Sequence, residues 1–473
     1  MSNEQMSVTP VDAGRSVSEA TKDEVATLRY LLDMALQPAD RWDGFTRLEQ
    51  IGGSALRYQI AYVSYALSVA QYTRTPAFAG YLAEGQANMI RRMCDKRVWG
   101  YWATERLAGY LRWNPDPVVF ANVMYSGFFA AMLAFYTTLN DDTTFDDDGS
   151  LPLVWNQRTR YDYGFTAIAT AIADNMASSR HTLYPCEPHL TYPMCNTIAV
   201  TGLLGYDRLH GTDLTGDFVD KIAHSFHRNG YLLPNGRFRF GLGPAGLKLP
   251  PTLSNDAVMT YWLNGILPDL AADTWEALRD KRVTVRDGRL DMITTPVDRL
   301  DVGSYRMGDA WTLVNIACAA REMGDSDAAD AADATIADHF RWDYSSAGAR
   351  RLAGASTWAN GAYALARFLR RDDLRGLAVG EVPDAWRTGP ILTQAAYPDI
   401  LVAKAVTDGD GLDLVLYPGS GPVRTTIGVS RLAPRTRYRL TGCEFPEVVA
   451  DETGHARVGV CLSSRHPVTL RRS

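Results

Sequence analysis

The segment 184–196, YPCEPHLTYPMCN, concentrates two thiols, a carboxylate, an imidazole and two phenols, of which Tyr192 lies between the thiols, in one proline-constrained loop. This loop leads into a predicted helix, whose unpaired N–H groups and dipole favour a thiolate at Cys195. Cys186, beside the carboxylate of Glu187, should instead keep its proton. One thiol could therefore give a proton while the other accepts one. The competing interpretation is a pair of buried small side chains, which is the commoner role of free cysteines.

Helix-length amphipathic stretches, joined by short Gly, Pro, Asn and Asp connections, fill the chain from about 22 to 371. Asp116 before Pro117 is typical of a helix start, and Gly211 after His210 is typical of a helix end. A dozen helices in series either stack as an open solenoid or close into a double-layered ring. Because no strict repeat occurs, we expect the closed arrangement. The predicted helices are 24–36, 54–71, 78–93, 117–138, 163–177, 195–210, 217–227, 256–263, 274–282, 308–323, 326–339 and 358–370.

The sequence changes character after the Arg and Asp cluster that ends at Asp373. Short β-branched or alternating segments follow, separated by turn signals, at 399–406, 412–417, 423–429, 437–440, 456–462 and 467–470. They predict a small antiparallel, sandwich-like β domain, whose commonest role would be to pack on the helical body. The predicted organisation is a flexible tail over 1–21, a helical domain over 22–373 and a β-rich C-terminal domain over 385–473.

Composition excludes several classes of protein. The chain is 46% hydrophobic and 22% charged, as a globular protein should be, and its net charge of −6 offers no basic excess for nucleic acid or an anionic membrane. We therefore expect neither of those partners. The N-terminus lacks an apolar signal segment, and no stretch is long and apolar enough to span a membrane, which predicts a cytoplasmic protein. No four-ligand set has zinc spacing, so we expect no metal site.

Several motifs, in one order along the chain, resemble the linalool dehydratase/isomerase family. They are CDKRVWG at 94–100, NVMYSG at 122–127, CEP at 186–188 with CN at 195–196, YDRLHGT at 206–212 and REMGD at 321–325. The similarity extends over roughly 24–370. It implies an all-α (α/α)6 barrel (toroid) with a central apolar pocket, to which the small C-terminal β-rich domain is added. It also implies a ring-like homo-oligomer and cofactor-free dehydration, hydration and isomerisation of allylic isoprenoid alcohols.

The resemblance also implies which residues form the site. The positions in this chain are the two cysteines Cys186 and Cys195, the neighbouring Glu187, the pocket methionine Met124, the pocket tyrosine Tyr58, and Asp33 for an aspartate supplied across the subunit interface. Tyr192, the phenol between the two thiols of the cysteine loop, is expected to contact substrate. The tyrosines that recur with Tyr58 at helical spacing, Tyr62, Tyr65 and Tyr72, are expected to be core packing.

Two departures from the family pattern change the predicted chemistry. Where the family has its active-site histidine, four residues after the methionine, this chain has Phe128. Met124 and Phe128 are one helical turn apart, so their side chains share a face. A second pocket tyrosine is replaced near Ser254 or Asn255. Phe for His removes a proton carrier and adds a π face that can stabilise a carbocation.

The sequence therefore predicts a divergent relative that performs proton-initiated chemistry on an isoprenoid alcohol or alkene, without a cofactor. An isoprenoid cyclase is an alternative, in which an internal alkene captures the cation. A glycan-processing enzyme would need two carboxylates about 5 to 9.5 Å apart. Its candidates are Asp116, Glu187, Asp256 and Asp309. A binding protein that kept only the scaffold is the non-enzymatic alternative.

Overall fold

The computed structural model describes residues 17–46, 55–299 and 308–473 of the chain, and the rest of the predicted tail and the start of the predicted helix 54–71 lie outside them. The helices among the described residues are α1 (Lys22–Ala35), α2 (Leu56–Arg74), α3 (Gly80–Met93), α4 (Lys96–Trp99), α5 (Tyr101–Tyr110), α6 (Val123–Asn140), α7 (Phe165–Ser178), α8 (Pro193–His210), α9 (Phe218–Arg228), α10 (Leu253–Leu263), α11 (Pro268–Lys281), α12 (Gly308–Met323), α13 (Ser326–His339), α14 (Thr357–Phe368), α15 (Asp373–Val379) and α16 (Asp384–Thr388).

Six of these helices pack in a closed order. Helix α2 contacts α6, and the contacts continue from α6 to α8, α10, α12 and α14, which packs against α2 again. Every residue of α2 is buried, and a helix that is buried on all sides lies inside the protein. The other long helices, α1, α3, α7, α9, α11 and α13, contact members of this ring and keep exposed positions. They form an outer layer.

The loops of the helical body carry four short antiparallel hairpins. They are β1 (Leu151–Asn156) with β2 (Thr159–Tyr163), β3 (Gly241–Leu242) with β4 (Lys248–Leu249), β5 (Val283–Arg286) with β6 (Arg289–Met292), and β7 (Trp342–Tyr344) with β8 (Arg350–Leu352). These hairpins were not predicted from the sequence.

The C-terminal region forms two antiparallel sheets. Its strands are β9 (Ile391–Gln394), β10 (Ile400–Thr407), β11 (Leu412–Pro418), β12 (Val423–Ser430), β13 (Arg437–Thr441), β14 (Glu447–Val449), β15 (Ala456–Leu462) and β16 (His466–Arg472). One sheet has the order β10-β11-β16-β13-β14 and the other β15-β12-β9. The prediction of a largely helical body followed by a small β-rich region is therefore confirmed.

This β region is fastened to the helical body by main-chain and side-chain hydrogen bonds. The Val402 N–H donates to the Tyr81 hydroxyl of α3 at 2.9 Å. The Leu392 N–H donates to the Ala77 carbonyl at 2.9 Å, so β9 is joined to the loop between α2 and α3. The N–H of Ala20 donates to the Ala403 carbonyl at 2.9 Å. The described end of the predicted tail thus lies against β10.

Two sequence predictions about the helices were wrong in ways that matter for the site. The helix predicted over 117–138 begins only at Val123, because Asn122 adopts a left-handed conformation with φ 58°. Asp116 accepts the N–H of Val118 at 2.9 Å and so caps a turn instead of a helix. Helix α5 was not predicted at all. The predicted helix end at Gly211 is confirmed, since its φ of 64° is the left-handed conformation that glycine favours there.

Candidate active site

The cysteine loop is held closed by one buried amide, that of Asn196. Its Oδ1 accepts the Tyr184 N–H at 3.0 Å, and its Nδ2 donates to the carbonyls of Tyr184 at 3.1 Å and Tyr192 at 3.0 Å. Because Asn196 belongs to α8, these bonds join both ends of the loop to the first turn of that helix. The Cys186 N–H in turn donates to the Leu190 carbonyl at 2.9 Å. The loop therefore has a fixed shape.

This shape brings the two thiols together. Cys186 and Cys195 are both buried, and they are close enough that the side chain of Cys195 raises the pKa of Cys186. All six cysteines are free, as predicted. Burial raises the pKa of Cys186 well above its usual range, and the neighbouring Cys195 and Glu187 raise it further, against a backbone hydrogen bond from Tyr192 that lowers it. The Cys186 thiol therefore holds its proton at neutral pH.

Two glycines allow α6 to approach the thiols closely. A Cβ on Gly127 would lie 2.7 Å from the Ala199 Cβ, and a Cβ on Gly202 would lie 2.7 Å from the Ala130 Cβ. The two helices could not pack at this distance with larger residues at those positions. The glycine of the motif NVMYSG thus allows α6 and α8 to pack closely. It places the helix that carries the predicted Met124 and Phe128 directly against the helix that carries Cys195.

Met124 and the predicted Tyr58 are in contact. The Tyr58 hydroxyl hydrogen-bonds the Met124 Sδ. Arg57 lies beside them, and its Nη2 donates to the Tyr58 hydroxyl at 3.0 Å and to the Met124 Sδ at 3.1 Å. The guanidinium carbon of Arg57 is 4.5 Å from the centre of the Tyr58 ring, and Trp358 stacks on that ring at 4.3 Å. Both faces of the phenol are covered, so Tyr58 presents its hydroxyl to the site.

Aromatic rings enclose the rest of this region. Phe128 is 1% exposed, meets Tyr58 edge-on at 5.9 Å and lies 6.3 Å from Tyr65. The Tyr65 hydroxyl donates to the Phe128 carbonyl at 2.9 Å. Tyr62 contacts Trp358 at 6.0 Å. Tyr62 and Tyr65, which the sequence assigned to core packing, are buried and belong to the same aromatic cluster as Tyr58.

Glu187 and Tyr192 form a polar pair on the loop side of the thiols. The Tyr192 hydroxyl donates to Glu187 Oε2 at 3.0 Å. Burial, followed by the charges of Glu187 and Cys186, raises the pKa of Tyr192 far above its usual range, so the phenol stays protonated. Its ring packs edge-on against Phe240 at 5.2 Å. The structure therefore brings both predicted loop residues to the thiol pair.

Asp33 lies elsewhere in the single chain. It is exposed on α1, where it accepts a hydrogen bond from the Tyr397 hydroxyl. It helps to line a groove of about 1070 Å³ between α1, α3 and the C-terminal strands, which includes Tyr30, Gln37 and Thr425. None of the thiol-site residues lines this groove. A role for Asp33 at the thiols would need a second subunit.

Ser254 and Asn255 form the first turn of α10 and are bonded away from the thiols. The Ser254 hydroxyl lies 3.2 Å from that of Thr252, and Asn255 Nδ2 donates to the Phe238 carbonyl at 3.3 Å. Within the described part of the chain, neither side chain bonds to the cysteine loop. The next residue, Asp256, is fully buried and paired with Arg237 at 2.6 Å.

Sequence reasoning missed Arg57 and Trp358, both of which contact Tyr58. Helix α2 contains two arginines, Arg57 and Arg74, among mostly apolar and aromatic residues. A charged side chain in such a helix was a signal that could have marked Arg57, since burying a cation is costly unless it has partners. Trp358 was placed in a predicted helix but offered no signal of its own. Burial by itself lowers the pKa of Arg57, but the neighbouring phenols and the carboxylates of Glu105 and Glu187 raise this pKa by more. Arg57 therefore remains cationic.

Searches for other kinds of site among the described residues gave negative results. No group of three or more His, Cys, Asp and Glu side chains in 17–46, 55–299 and 308–473 could hold a metal ion. No helix in the same ranges is long and apolar enough to cross a membrane.

Comparison with known proteins identifies the family. The model of the linalool dehydratase/isomerase family matches residues 57–358. This match covers more than half of the chain and includes the cysteine loop, Met124 and Phe128. The protein belongs to the linalool dehydratase/isomerase family.

Among the solved structures with partial likeness are two glycoside hydrolases of low identity. An α-1,6-mannanase, GH76A, from Salegentibacter sp. HEL1_6 is 10% identical, with 76% of this chain and 100% of that chain covered and a TM-score of 0.44. A GH127 β-L-arabinofuranosidase from Geobacillus stearothermophilus T6 is 11% identical, with 96% and 76% covered and a TM-score of 0.31. At these TM-scores the likeness carries no functional information.

Proposed function

We propose that this protein is a cofactor-independent dehydratase/isomerase-like enzyme that acts on an isoprenoid alcohol or alkene through an allylic carbocation. The observation that carries the proposal is the pair of buried thiols, Cys186 and Cys195, near Tyr62 and Tyr65 of the aromatic cluster and on the side of the helix that carries Met124. Two thiols can exchange a proton between them. Aromatic rings and a thioether lower the energy of a nearby cation without reacting with it.

The proposed dehydration has two steps. An acid protonates the allylic hydroxyl, the C–O bond breaks, and water leaves with the bonding electrons. The resulting cation then loses a proton from a neighbouring carbon to the Cys195 thiolate, the form that the helix N-terminus favours, and that C–H electron pair forms the new double bond. Candidate acids are the Cys186 thiol and Asp33 from a neighbouring subunit. Hydration and isomerisation follow from the same steps in reverse, with water returning to either end of the allylic system.

The aromatic cluster supports the cationic intermediate. Phe128 is the ring that the sequence places at the position of a proton carrier, and it lies against the rings of Tyr58 and Tyr65. Water needs polar partners to be held. Elimination, rearrangement or ring closure should therefore be favoured over hydration, which keeps an isoprenoid cyclase as the second candidate function.

Two of the four candidate carboxylates of the glycan-processing alternative, Asp116 and Asp256, are engaged elsewhere. Asp116 accepts the Tyr163 hydroxyl at 2.9 and 2.8 Å, and Asp256 is fully buried in its pair with Arg237. Both carboxylates have structural partners. The side chain of Asp309 lies outside the described residues.

The finer architecture belongs to the same proposal. The closed order of α2, α6, α8, α10, α12 and α14 supports an (α/α)6 barrel whose inner helices carry the site. We propose that this barrel extends over 22–373, that 385–473 is a separate β-rich domain, and that a ring-like homo-oligomer in the cytoplasm places Asp33 near a neighbour's thiols.

Incubation with candidate substrates tests this function. Purified protein is incubated with C10, C15 and C20 isoprenoid alcohols and diphosphates. The buffer contains a metal chelator and no added cofactor, and the products are identified by mass spectrometry. We expect alkenes or rearranged alcohols from at least one alcohol, and a loss of about 100-fold or more in Cys195→Ala. Cys318→Ala is the matched control, because Cys318 is an equally buried thiol that bonds only the Ala362 carbonyl in the described residues. Equal turnover by all three proteins would contradict the proposal.

A further inference from the structure

Helix α5, which the sequence did not predict, runs along the site. At its start the Tyr101 ring lies under the Arg57 guanidinium, with the guanidinium carbon 4.4 Å from the ring centre. Near its end Gly109 packs against the cysteine loop so closely that an added Cβ would lie 2.1 Å from the Pro188 Cβ. His189 Nε2 is 2.9 Å from the Gly109 carbonyl. One side of α5 thus spans the distance from Arg57 to the thiol loop.

Glu105 occupies the middle of that side. It follows Tyr101 by four residues and precedes Gly109 by four, and residues at this spacing lie on one helix face. Its Oε2 is buried and has no hydrogen-bond partner among the described residues. A buried carboxyl oxygen without a partner is costly if the group carries a charge, and this cost is reduced when the group is protonated.

The charges that face Glu105 come from three elements. They are Arg57 from α2, Glu187 from the cysteine loop, and the phenol of Tyr101 on α5 itself. Burial raises the pKa of Glu105 to about 7, the Arg57 cation opposes this increase, and the Glu187 carboxylate adds to it. The Glu105 carboxyl is therefore a far stronger acid than the Cys186 thiol, whose pKa is raised well above its usual range.

We propose that Glu105 is the acid that protonates the leaving hydroxyl of the substrate. The inference rests on the proposed dehydratase/isomerase function and names the proton donor of that reaction. The Glu105 O–H bond breaks, its proton goes to the hydroxyl oxygen, and the C–O bond breaks as water leaves. After the cation gives its proton to Cys195, that proton returns to the Glu105 carboxylate, and the enzyme is restored.

The charge balance of the site supports this order of events. With Glu105 protonated and Cys195 a thiolate, the charges of the site are the Arg57 cation and the Glu187 and Cys195 anions. Transfer of the Glu105 proton adds one negative charge at the moment when the substrate becomes a cation. Opposite charges separated by a few ångströms in a buried site attract strongly, so the new carboxylate stabilises the cation that its own proton created.

A pH profile tests the role in turnover. Since the acid must be protonated, wild-type kcat should be constant below pH 7 and fall about tenfold per pH unit well above it. Glu105→Gln keeps the shape but cannot give a proton, so we expect a loss of about 100-fold or more and no pH-dependent fall near 7. Glu276→Gln, the same change at an exposed position of α11, should behave as wild type. Full activity with an unchanged pH profile in Glu105→Gln would overturn the proposal.

Infrared difference spectra test the proton itself, without substrate. The pH 6 minus pH 8 spectrum of wild type, minus the same spectrum of Glu105→Gln, should show the carbonyl band of one protonated carboxyl with a midpoint near 7. Asp256 and Glu322, whose pKa values burial raises to about 6 and about 8, cancel in this second difference. Absence of that band from the second difference would overturn the inference even if Cys195→Ala confirms the proposed function. Conversely, full turnover in Cys195→Ala with a large loss in Glu105→Gln would refute the thiol base and leave the acid in place.

Discussion

Removing the Asn196 amide should loosen the cysteine loop while the helical body stays folded. Asn196→Ala deprives one N–H and two carbonyl groups of their hydrogen bonds, in a place where Asn196 itself is fully buried. Each such unpaired group costs about 1 to 3 kcal/mol, so the loop should open more easily by about 3 kcal/mol. This free energy corresponds to roughly a 100-fold larger open population.

Thiol labelling measures this opening directly. Cys186 and Cys195 are 1% and 0% exposed, so a thiol reagent reaches them only when the loop opens. The rate of labelling of the peptide that contains both is followed by mass spectrometry under native conditions. We expect it to rise about 100-fold in Asn196→Ala. The control is Asn229→Ala, which removes an asparagine whose amide donates to the Ser225 hydroxyl at the end of α9.

The outcome separates two accounts of the motif CN at 195–196. If Asn196→Ala labels no faster than wild type or Asn229→Ala, the amide does not hold the loop, and the fixed distance between the thiols must have another cause. If labelling increases and turnover falls in parallel, the loop geometry and the reaction are linked.

Three further predictions concern the site and its surroundings. Phe128→His should increase the share of hydroxylated products, because an imidazole can hold a water molecule. The same change should lower the free energy of unfolding by about 2 kcal/mol, because it buries a polar group among aromatic rings. An unchanged product mixture would mean that Phe128 serves only to pack the core. Light scattering should show an oligomer, and Asp33→Asn should lower turnover at least tenfold; a monomer, or an active variant, would remove Asp33 from the site. Because the pKa of Glu105 is raised in the folded protein, its contribution to the free energy of unfolding is present at low pH and is lost as pH rises from about 4.5 to about 7. The melting temperature of Glu105→Gln, relative to that of wild type, should therefore increase over this pH range. A difference between the two melting temperatures that does not change with pH would contradict the raised pKa.

The helices with long apolar patterns could be predicted from the sequence, and those with local exceptions could not. Helices α12 and α13 have the predicted bounds, since their amphipathic runs are bounded by Gly, Ser and Asp. Asp116 and Pro117 predict a helix start, but Asn122 adopts a left-handed conformation, which an α-helix cannot include. Helix α6 therefore starts later than predicted. Such a conformation is decided by tertiary contacts, here the bond that the Tyr101 hydroxyl of α5 donates to Asn122 Oδ1 at 2.9 Å.

For the site, the sequence could predict the residues with unusual chemistry but not the charges that surround them. The thiols, Glu187 and Tyr192 stand within one loop, and their closeness follows from their spacing. Arg57 and Glu105 belong to different helices, and only the fold brings their charges together. Helix α5 has only ten residues, and it contains Gly109, a residue that disfavours helices. The glycine is needed here because it lies in close contact with Pro188, a contact that the sequence does not reveal.

Solvent deuterium tests the central claim most directly. In the proposed reaction, the Cys195 sulfur removes a proton from the carbon next to the allylic cation and can return one to it. If the reaction runs in deuterium oxide, deuterium should therefore appear on that neighbouring carbon, both in recovered substrate and in product. The account predicts such labelling by wild type and by Cys318→Ala, without any cofactor, and its loss in Cys195→Ala. Products formed without deuterium at that carbon, or labelling that persists in Cys195→Ala, would contradict it.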